Sequence, residues 1–530
     1  MSLDHWAKKP LVCIGISALF FACAPLPNAM AEPQAGQPPR PLTGSAPDDS
    51  LPLFEAPQQT IDLTFDEKPP PSLRRDTLVV LPAVSSDTAI SEGEILEFDD
   101  KLAEKAAVED FEIPPETADF ALPADFDEVH DFAEDLVESV AQALVRSLPT
   151  PTDFRRDIRV GLSFNTAKLT LKCQTKCRLH TDKKYQGHGS GTISVQVHGG
   201  ALRITSSQGK TWQAKSLAWI NDDASRENYV EINKKKYRGT VELRPQGGKI
   251  LVVNQLPVEL YLQGVVPGEI GRLDSSMFAA LESQAVAART YAYRHFGSRQ
   301  SLGFDVFDDT RDQVYQGLSG EAALPNQAVR STAGVVMLHN QQLINAYYHS
   351  TCGGHTADLQ TWGQNSLSYL QAVPDVDEHG KAWCQASSYS NWSFTYTWEQ
   401  LSRIVKTHLS KGHPDTLINF NRISNVVILD FLPGARVGNV LYVTDKGNFR
   451  VSGDKNRWIL RSPPNGAKTL PSAWFLIAQN PQGVTIQGKG FGHGIGMCQM
   501  GVRAKAKQGW DYAKILLSYY PAVQLVQWQK

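Results

Sequence analysis

Four short segments in the second half of this 530-residue chain set ionisable side chains among glycines. They are VVPGEIG (Val265 to Gly271), ESQAVAARTYAYRH (Glu282 to His295), YYHSTCGGHTADLQTWG (Tyr347 to Gly363) and GFGHGIGMCQMG (Gly490 to Gly501). Glycine lets a backbone bend sharply and approach a ligand closely, so polar groups in such company mark sites more often than cores. The lone carboxylate of the first segment, Glu269, stands among Val265, Val266 and Ile270 on a Gly-Pro-rich stretch that reads as a turn just before a long helix. Partial desolvation there favours the protonated carboxyl. A carboxylic acid with a raised pKa is what protonates the leaving oxygen of a glycosidic bond. On local pattern alone, a helix-capping or surface glutamate is the alternative.

The third segment places His349, Cys352 and His355 within seven residues, beside Gly353-Gly354, and Cys384 follows on a later loop. Together they make a Cys2His2 set, which in zinc sites is closed and structural. A Cys352–Cys384 disulfide is the competing reading, permitted in an oxidising compartment. His493, framed by glycines, reads either as part of a site loop or as a merely hydrogen-bonded histidine. The Asp-rich stretch FDVFDDTRDQVY (Phe304 to Tyr315) lacks the glycine and terminal glutamate of an EF-hand loop. It reads as a polar substrate-facing loop or a solvated turn, with Asp305, Asp308, Asp309 and Asp312 as reserve carboxylates. Arg289, Asp312, Gln313, His493 and Gln499 are the candidate substrate contacts within these motifs.

The elements that must position these groups begin well into the chain. Lys8 and Lys9, the apolar run Leu11 to Ala24 and Ala29-Met30-Ala31 read as a signal peptide over residues 1–31, with a lipobox-like alternative at Cys23. The apolar run is shorter than a membrane span of about 20 residues, so an extracytoplasmic mature protein is expected. Residues 32–125 are rich in proline and acidic side chains and are expected to be disordered. Between Asp87 and Glu138 stand 19 acidic residues against two lysines, so the remainder of a chain with net charge −3 is mildly basic. That balance suits an anionic polymer such as cell wall and offers no case for nucleic acid. Apolar residues at Phe132, Leu136, Val140, Leu144 and Leu148 predict an amphipathic helix over residues 126–150.

Seven short alternating runs between Ile158 and Gln255 predict a twisted sheet or small barrel. Helical territory opens at Leu256, and Ala-rich Met277 to His295 is the strongest helix. Strands then recur at Val335 to Leu338, Leu343 to His349, Val426 to Phe431, Val440 to Thr444 and Phe449 to Val451. Helices close the chain at Gly496 to Lys507 and Tyr512 to Tyr519. This segregation predicts an α+β fold, β-rich first, with a central groove and a disordered N-terminal extension. With Cys13 and Cys23 in the signal, five cysteines remain, and Cys173 and Cys177 could close a small disulfide loop.

Taken in order, these motifs resemble the stage II sporulation protein D / LytB amidase-enhancer family. The resemblance rests on VVPGEI with SQAVAARTYA, on DTRDQVYQG, on YYHSTCGGHT with WG, and on GKGFGHGIGMCQMG with LLSYYP, and it covers about residues 157–525. It implies a peptidoglycan lytic transglycosylase acting on glycan strands, especially strands stripped of stem peptides, or else an enhancer of a cell-wall amidase. It implies that Glu269 is the catalytic acid and that His349, Cys352 and the nearby His/Cys residues are candidate ligands of a structural zinc. Two departures stand out: just after the WG segment, where the family often has a second paired cysteine, only Cys384 stands, and Cys498-Gln499-Met500 takes the place where Ser-Gln-Trp is common. The acidic arm would then be a partner-binding or reach-extending segment.

Overall fold

The computed structural model describes residues 146–220, 229–412 and 419–529. The signal segment, the acidic stretch and most of the 126–150 helix lie outside the described residues. The last residues of that helix are described, and they are not helical. Arg146–Pro149 is a strand, paired in parallel with the C-terminal strand Gln524–Gln529. Pro149 and Pro151 push the residues before them out of the helical region, so the apolar period ends in a strand.

The predicted β runs do form strands, and their alternation is visible in burial. Thr240–Gln246 buries Val241 and Leu243, and Lys249–Leu256 buries Ile250, Val252 and Leu256. The main path of their sheet runs Val306–Phe307, Ile158–Leu162, Lys249–Leu256, Thr240–Gln246, Leu217–Ile220, Lys168–Thr181, Lys184–His198, Ala201–Ser206, Thr211–Ala214. The long hairpin of Lys168–Thr181 with Lys184–His198 shifts register between Cys173 and Cys177. Before the shift its first strand pairs with Val230–Ile232, and after it with Leu217–Ile220. The disulfide Cys173–Cys177 closes the bulge, as the spacing suggested.

Seven α-helices are present among the described residues: α1 (Val258–Glu269), α2 (Phe278–Arg294), α3 (Ala323–Ser331), α4 (Trp398–Gly412), α5 (Lys455–Ile459), α6 (Gln499–Lys507) and α7 (Tyr512–Tyr519). Helix α2 is the central one. Ala285, Ala287, Ala288 and Ala292 are fully buried, because α1, α3, α6 and α7 pack around it. A helix enclosed on this many sides needs small residues at its contacts, and that is why its sequence is so rich in alanine.

Residues from Trp392 to Gly488 form a second lobe with its own core. Helix α4 packs with the sheet of Trp392–Thr397, Gly483–Gly488 and Phe475–Asn480 and with that of Ile423–Leu432, Arg436–Thr444 and Gly447–Ser452. Arg436 ties this lobe to the site. Its fully buried guanidinium donates to the carbonyls of Cys352 (3.0 Å) and His355 (3.1 Å). It fits only because residue 494 is glycine, where a Cβ would lie 2.3 Å from Arg436 Nη2.

Candidate active site

Glu269 is the last residue of α1 rather than part of a turn preceding the long helix. Pro267 lacks the amide hydrogen of the next helical bond, and the helix ends two residues later. On the face that carries Gly264 and Gly268 the segment 313–317 lies directly on the helix backbone. A Cβ at Gly264 would stand 2.7 Å from the Tyr315 ring, and one at Gly268 would stand 2.6 Å from the Val314 carbonyl oxygen. This close approach lets Val314 N–H donate to Glu269 Oε1 at 2.5 Å.

Two further donors reach the half-buried carboxyl, the Tyr348 hydroxyl and the Gln499 amide. Burial raises the Glu269 pKa above the usual carboxylate value, and the three donors pull it back part of the way. Among the described residues no charged group contributes to that balance. A lone carboxyl poised by burial against neutral donors is equipped to give a proton and to take one back.

Tyr348 stands on one parallel pair, the strand Tyr348–His349 beside Met497–Cys498, and Gln499 opens α6 directly after that pair. His493 braces this pair. Its Nε2–H donates to the Tyr348 carbonyl (3.0 Å), and its Nδ1 accepts from Ile495 N–H (3.0 Å). Burial holds the imidazole neutral, with its pKa lowered to about 4. His493 therefore acts on the backbone behind Tyr348, and both of its ring nitrogens are engaged within the protein.

Behind that pair, Cys352, Asp375, Cys384 and Cys498 gather their ligand atoms within 4.8 Å of one another, all buried. This differs from the predicted ligand set. His349 turns its Nδ1 to the Ile495 carbonyl (3.2 Å) and His355 its Nδ1 to the Thr356 carbonyl (3.1 Å), so neither joins the cluster, and Asp375 and Cys498 take their places. The sulfurs Cys352 Sγ and Cys384 Sγ stand 3.6 Å apart, unbonded. Backbone amides donate to each thiol: Gly354 N–H to Cys352, Gly353 N–H to Cys384, and Cys352 and Gly501 N–H to Cys498. Asp375 accepts from Lys505 (2.9 Å) and Tyr519 (2.8 Å) on Oδ1 and turns Oδ2 to the sulfurs. Hydrogen bonds from the Cys352 and Cys498 thiols lower the Cys384 pKa, while burial pushes Cys352 and Cys498 up.

The donor set fits a tetrahedral ion. Zinc–sulfur bonds of about 2.3 Å place two ligand sulfurs about 3.8 Å apart at the tetrahedral angle, close to the spacing of Cys352 and Cys384. Lys505 and Arg436 would offset the negative charge of three thiolates and a carboxylate around a dication.

The stage II sporulation protein family profile matches residues 246–339, which carry Glu269 and α2, and a domain of unknown function matches residues 380–496. An uncharacterized protein of Brachyspira hyodysenteriae is 31% identical over 56% of this chain and 74% of its own length. The amidase enhancer of Bacillus subtilis is 30% identical over 66% of this chain, which spans 51% of that protein. Stage II sporulation protein D of the same organism is 26% identical over 52% of this chain and 75% of its own. The chain belongs to the SpoIID/LytB family.

Within this SpoIID/LytB protein the sequence motifs divide into groups at the carboxyl and groups that hold the fold. Gln499 touches Glu269 and donates to Gln284 Oε1 (3.3 Å). Gln313 is fully buried and meets Tyr348 rather than solvent. Asp312 is turned inward to Arg299 (2.9 Å), Tyr291 (2.9 Å) and the Phe307 amide (2.8 Å). Asp305 pairs with Arg156, and Asp309 with Arg311. Asp308 accepts from the Ser163 amide. The Asp-rich stretch is thus largely internal wiring, which corrects its reading as a substrate-facing loop.

Arg289 also proves internal, because α2 is enclosed. Its guanidinium forks onto Glu259 (2.8 Å twice) and donates to the carbonyls of Val335 and Val329 (3.1 Å each). Removing one partner of a buried ion pair leaves an uncompensated charge. Arg289→Leu should therefore lower stability by about 3–5 kcal/mol in urea unfolding.

The sequence reading missed Tyr348, Asp375 and Cys498. Tyr348 and Cys498 lie inside motifs that were singled out. Asp375, in PDVDE, carries no local signal.

Proposed function

We propose that this protein is a peptidoglycan lytic transglycosylase with Glu269 as general acid and base. The protonated carboxyl gives its proton to the oxygen joining N-acetylmuramic acid to the next N-acetylglucosamine, and that bond breaks. The C6 hydroxyl of the muramic residue attacks its own C1, and the Glu269 carboxylate takes the hydroxyl proton. A 1,6-anhydro ring closes, no water is consumed, and the carboxyl is restored. One carboxyl suffices because the sugar supplies the nucleophile, whereas a hydrolase normally uses two. The observation that carries this reading is the state of Glu269: raised by burial, held by three neutral donors, with no charged partner among the described residues. The test is digestion of purified, peptide-free glycan strands followed by mass analysis for anhydro ends; intact strands would refute it.

A second reading has support from the amidase enhancer relative. In it the protein binds cell wall and stimulates an N-acetylmuramoyl-L-alanine amidase without cutting glycan. It expects stimulation of such an amidase that survives Glu269→Gln.

The cluster of Cys352, Asp375, Cys384 and Cys498 suits a structural zinc, with four protein ligands and no open position for water. Both functional readings place the protein outside the cytoplasm, which agrees with the signal-like segment 1–31. Among the described residues no helix is long and apolar enough to cross a membrane. The acidic arm is read as partner-binding and not needed for chemistry. A chain beginning at residue 140 should cleave glycan like the full chain. One beginning at Asp153 loses the strand on Gln524–Gln529 and should melt earlier. Lost cleavage in a stably folded chain from residue 140 would overturn this assignment.

A further inference from the structure

We propose that Tyr348 is a positioning residue for Glu269, clamped from behind by Gln313 so that its one hydroxyl proton points at that carboxyl. The inference rests on the transglycosylase reading and adds to it how the carboxyl is held through both proton transfers. The argument starts from which atoms can donate. The Ala288 carbonyl can only accept, and it faces the Gln313 side-chain nitrogen at 3.3 Å. That fixes the amide, so Gln313 Oε1 accepts from the Tyr261 hydroxyl (3.1 Å) and Nε2 donates to the Tyr348 oxygen (3.0 Å). With an incoming bond already on its oxygen, Tyr348 keeps its own hydrogen for Glu269.

Gln313 is wholly buried, and the strand carrying Tyr348 is pinned by His493 and by the ladder to Met497. The donor therefore cannot swing away, and the carboxyl meets it in one geometry. A fixed donor favours the carboxylate form and opposes the effect of burial. The second half of the reaction needs this, because the spent acid must persist as carboxylate long enough to take the C6 proton.

The other groups around the carboxyl leave this role to Tyr348. On α1 the nearby titratable group is Tyr261. From α6 come uncharged Gln499 and Arg503, whose guanidinium bonds the Ile270 carbonyl. From the 307–316 stretch, Asp308, Asp309 and Asp312 are engaged by Ser163, Arg311 and Arg299.

Tyr348→Phe tests the proposal. Losing a hydrogen bond to a charged group is expected to cut kcat about 10- to 100-fold. It should also move the alkaline limb of kcat/KM upward by about one pH unit, because Glu269 then stays protonated to higher pH. The carboxyl can be followed without turnover, as the infrared band that Glu269→Gln removes, in either background. Gln313→Met, which frees the phenol without deleting it, should shift that titration the same way by less. An unmoved limb, or an infrared titration unchanged in both variants, overturns the proposal. Wild-type protein that leaves glycan uncut would instead refute the transglycosylase reading, and the infrared result would still decide the link between Tyr348 and Glu269.

Discussion

Glu269→Gln should reduce anhydro-product formation by about 10²- to 10⁴-fold, the usual worth of general acid–base assistance, while the protein melts and binds glycan much as before. The amide fills the same space and can still accept from Val314 N–H, so packing between α1 and the 313–317 segment survives. What it lacks is a proton to give at working pH and a charge with which to take one back. Because burial raises the Glu269 pKa, the wild-type enzyme should lose kcat/KM as pH rises through that value. Liquid chromatography with mass detection of digested strands checks both points. Near-wild-type cleavage by Glu269→Gln would remove this residue from the chemistry.

Cys498→Ala should have the largest effect on the fold. Cys498 supplies one of four converging ligand atoms, and it caps α6, accepting from Gly501 N–H. Protein purified without chelator should carry about one zinc per chain, and the variant should carry almost none. Stability should fall by about 4 kcal/mol or more, the range reached when a metal ligand is lost. Because Gln499 follows directly, cleavage should fall as well, but less steeply than in Glu269→Gln. Plasma emission analysis and thermal melts report on these outcomes. Metal-free protein whose intact mass shows a second disulfide would mean that Cys352 and Cys384 are stapled and the zinc assignment is wrong.

Most of the secondary structure was legible because its signals are local. Alternation marked the strands of the first lobe, and high alanine content marked α2 to within a residue at each end. The Cys173–Cys177 spacing signalled a closed loop, and a disulfide closes it. The errors share one cause. Leu148 fitted a helical period, yet the prolines beside it and the C-terminal strand it meets make Arg146–Pro149 a strand. Arg289 looked like a substrate contact because it stands within a motif, but the helices packed around α2 leave it no solvent. His349 and His355 sit at ligand-like spacing, yet their rings turn to backbone carbonyls.

The sequence by itself determined the element types and the family and singled out Glu269 as the candidate acid, because residue type, period and motif order are properties of the chain alone. Tertiary structure decided who stands beside whom. It brought Tyr348 and Gln499 onto Glu269 from 79 and 230 residues further along the chain, and Asp375 into a cluster with three cysteines. It also buried Arg289, Asp312 and Gln313, which the motifs alone had offered to a substrate. Such choices depend on burial and on which donors still lack an acceptor once the elements have packed, and neither can be read from spacing.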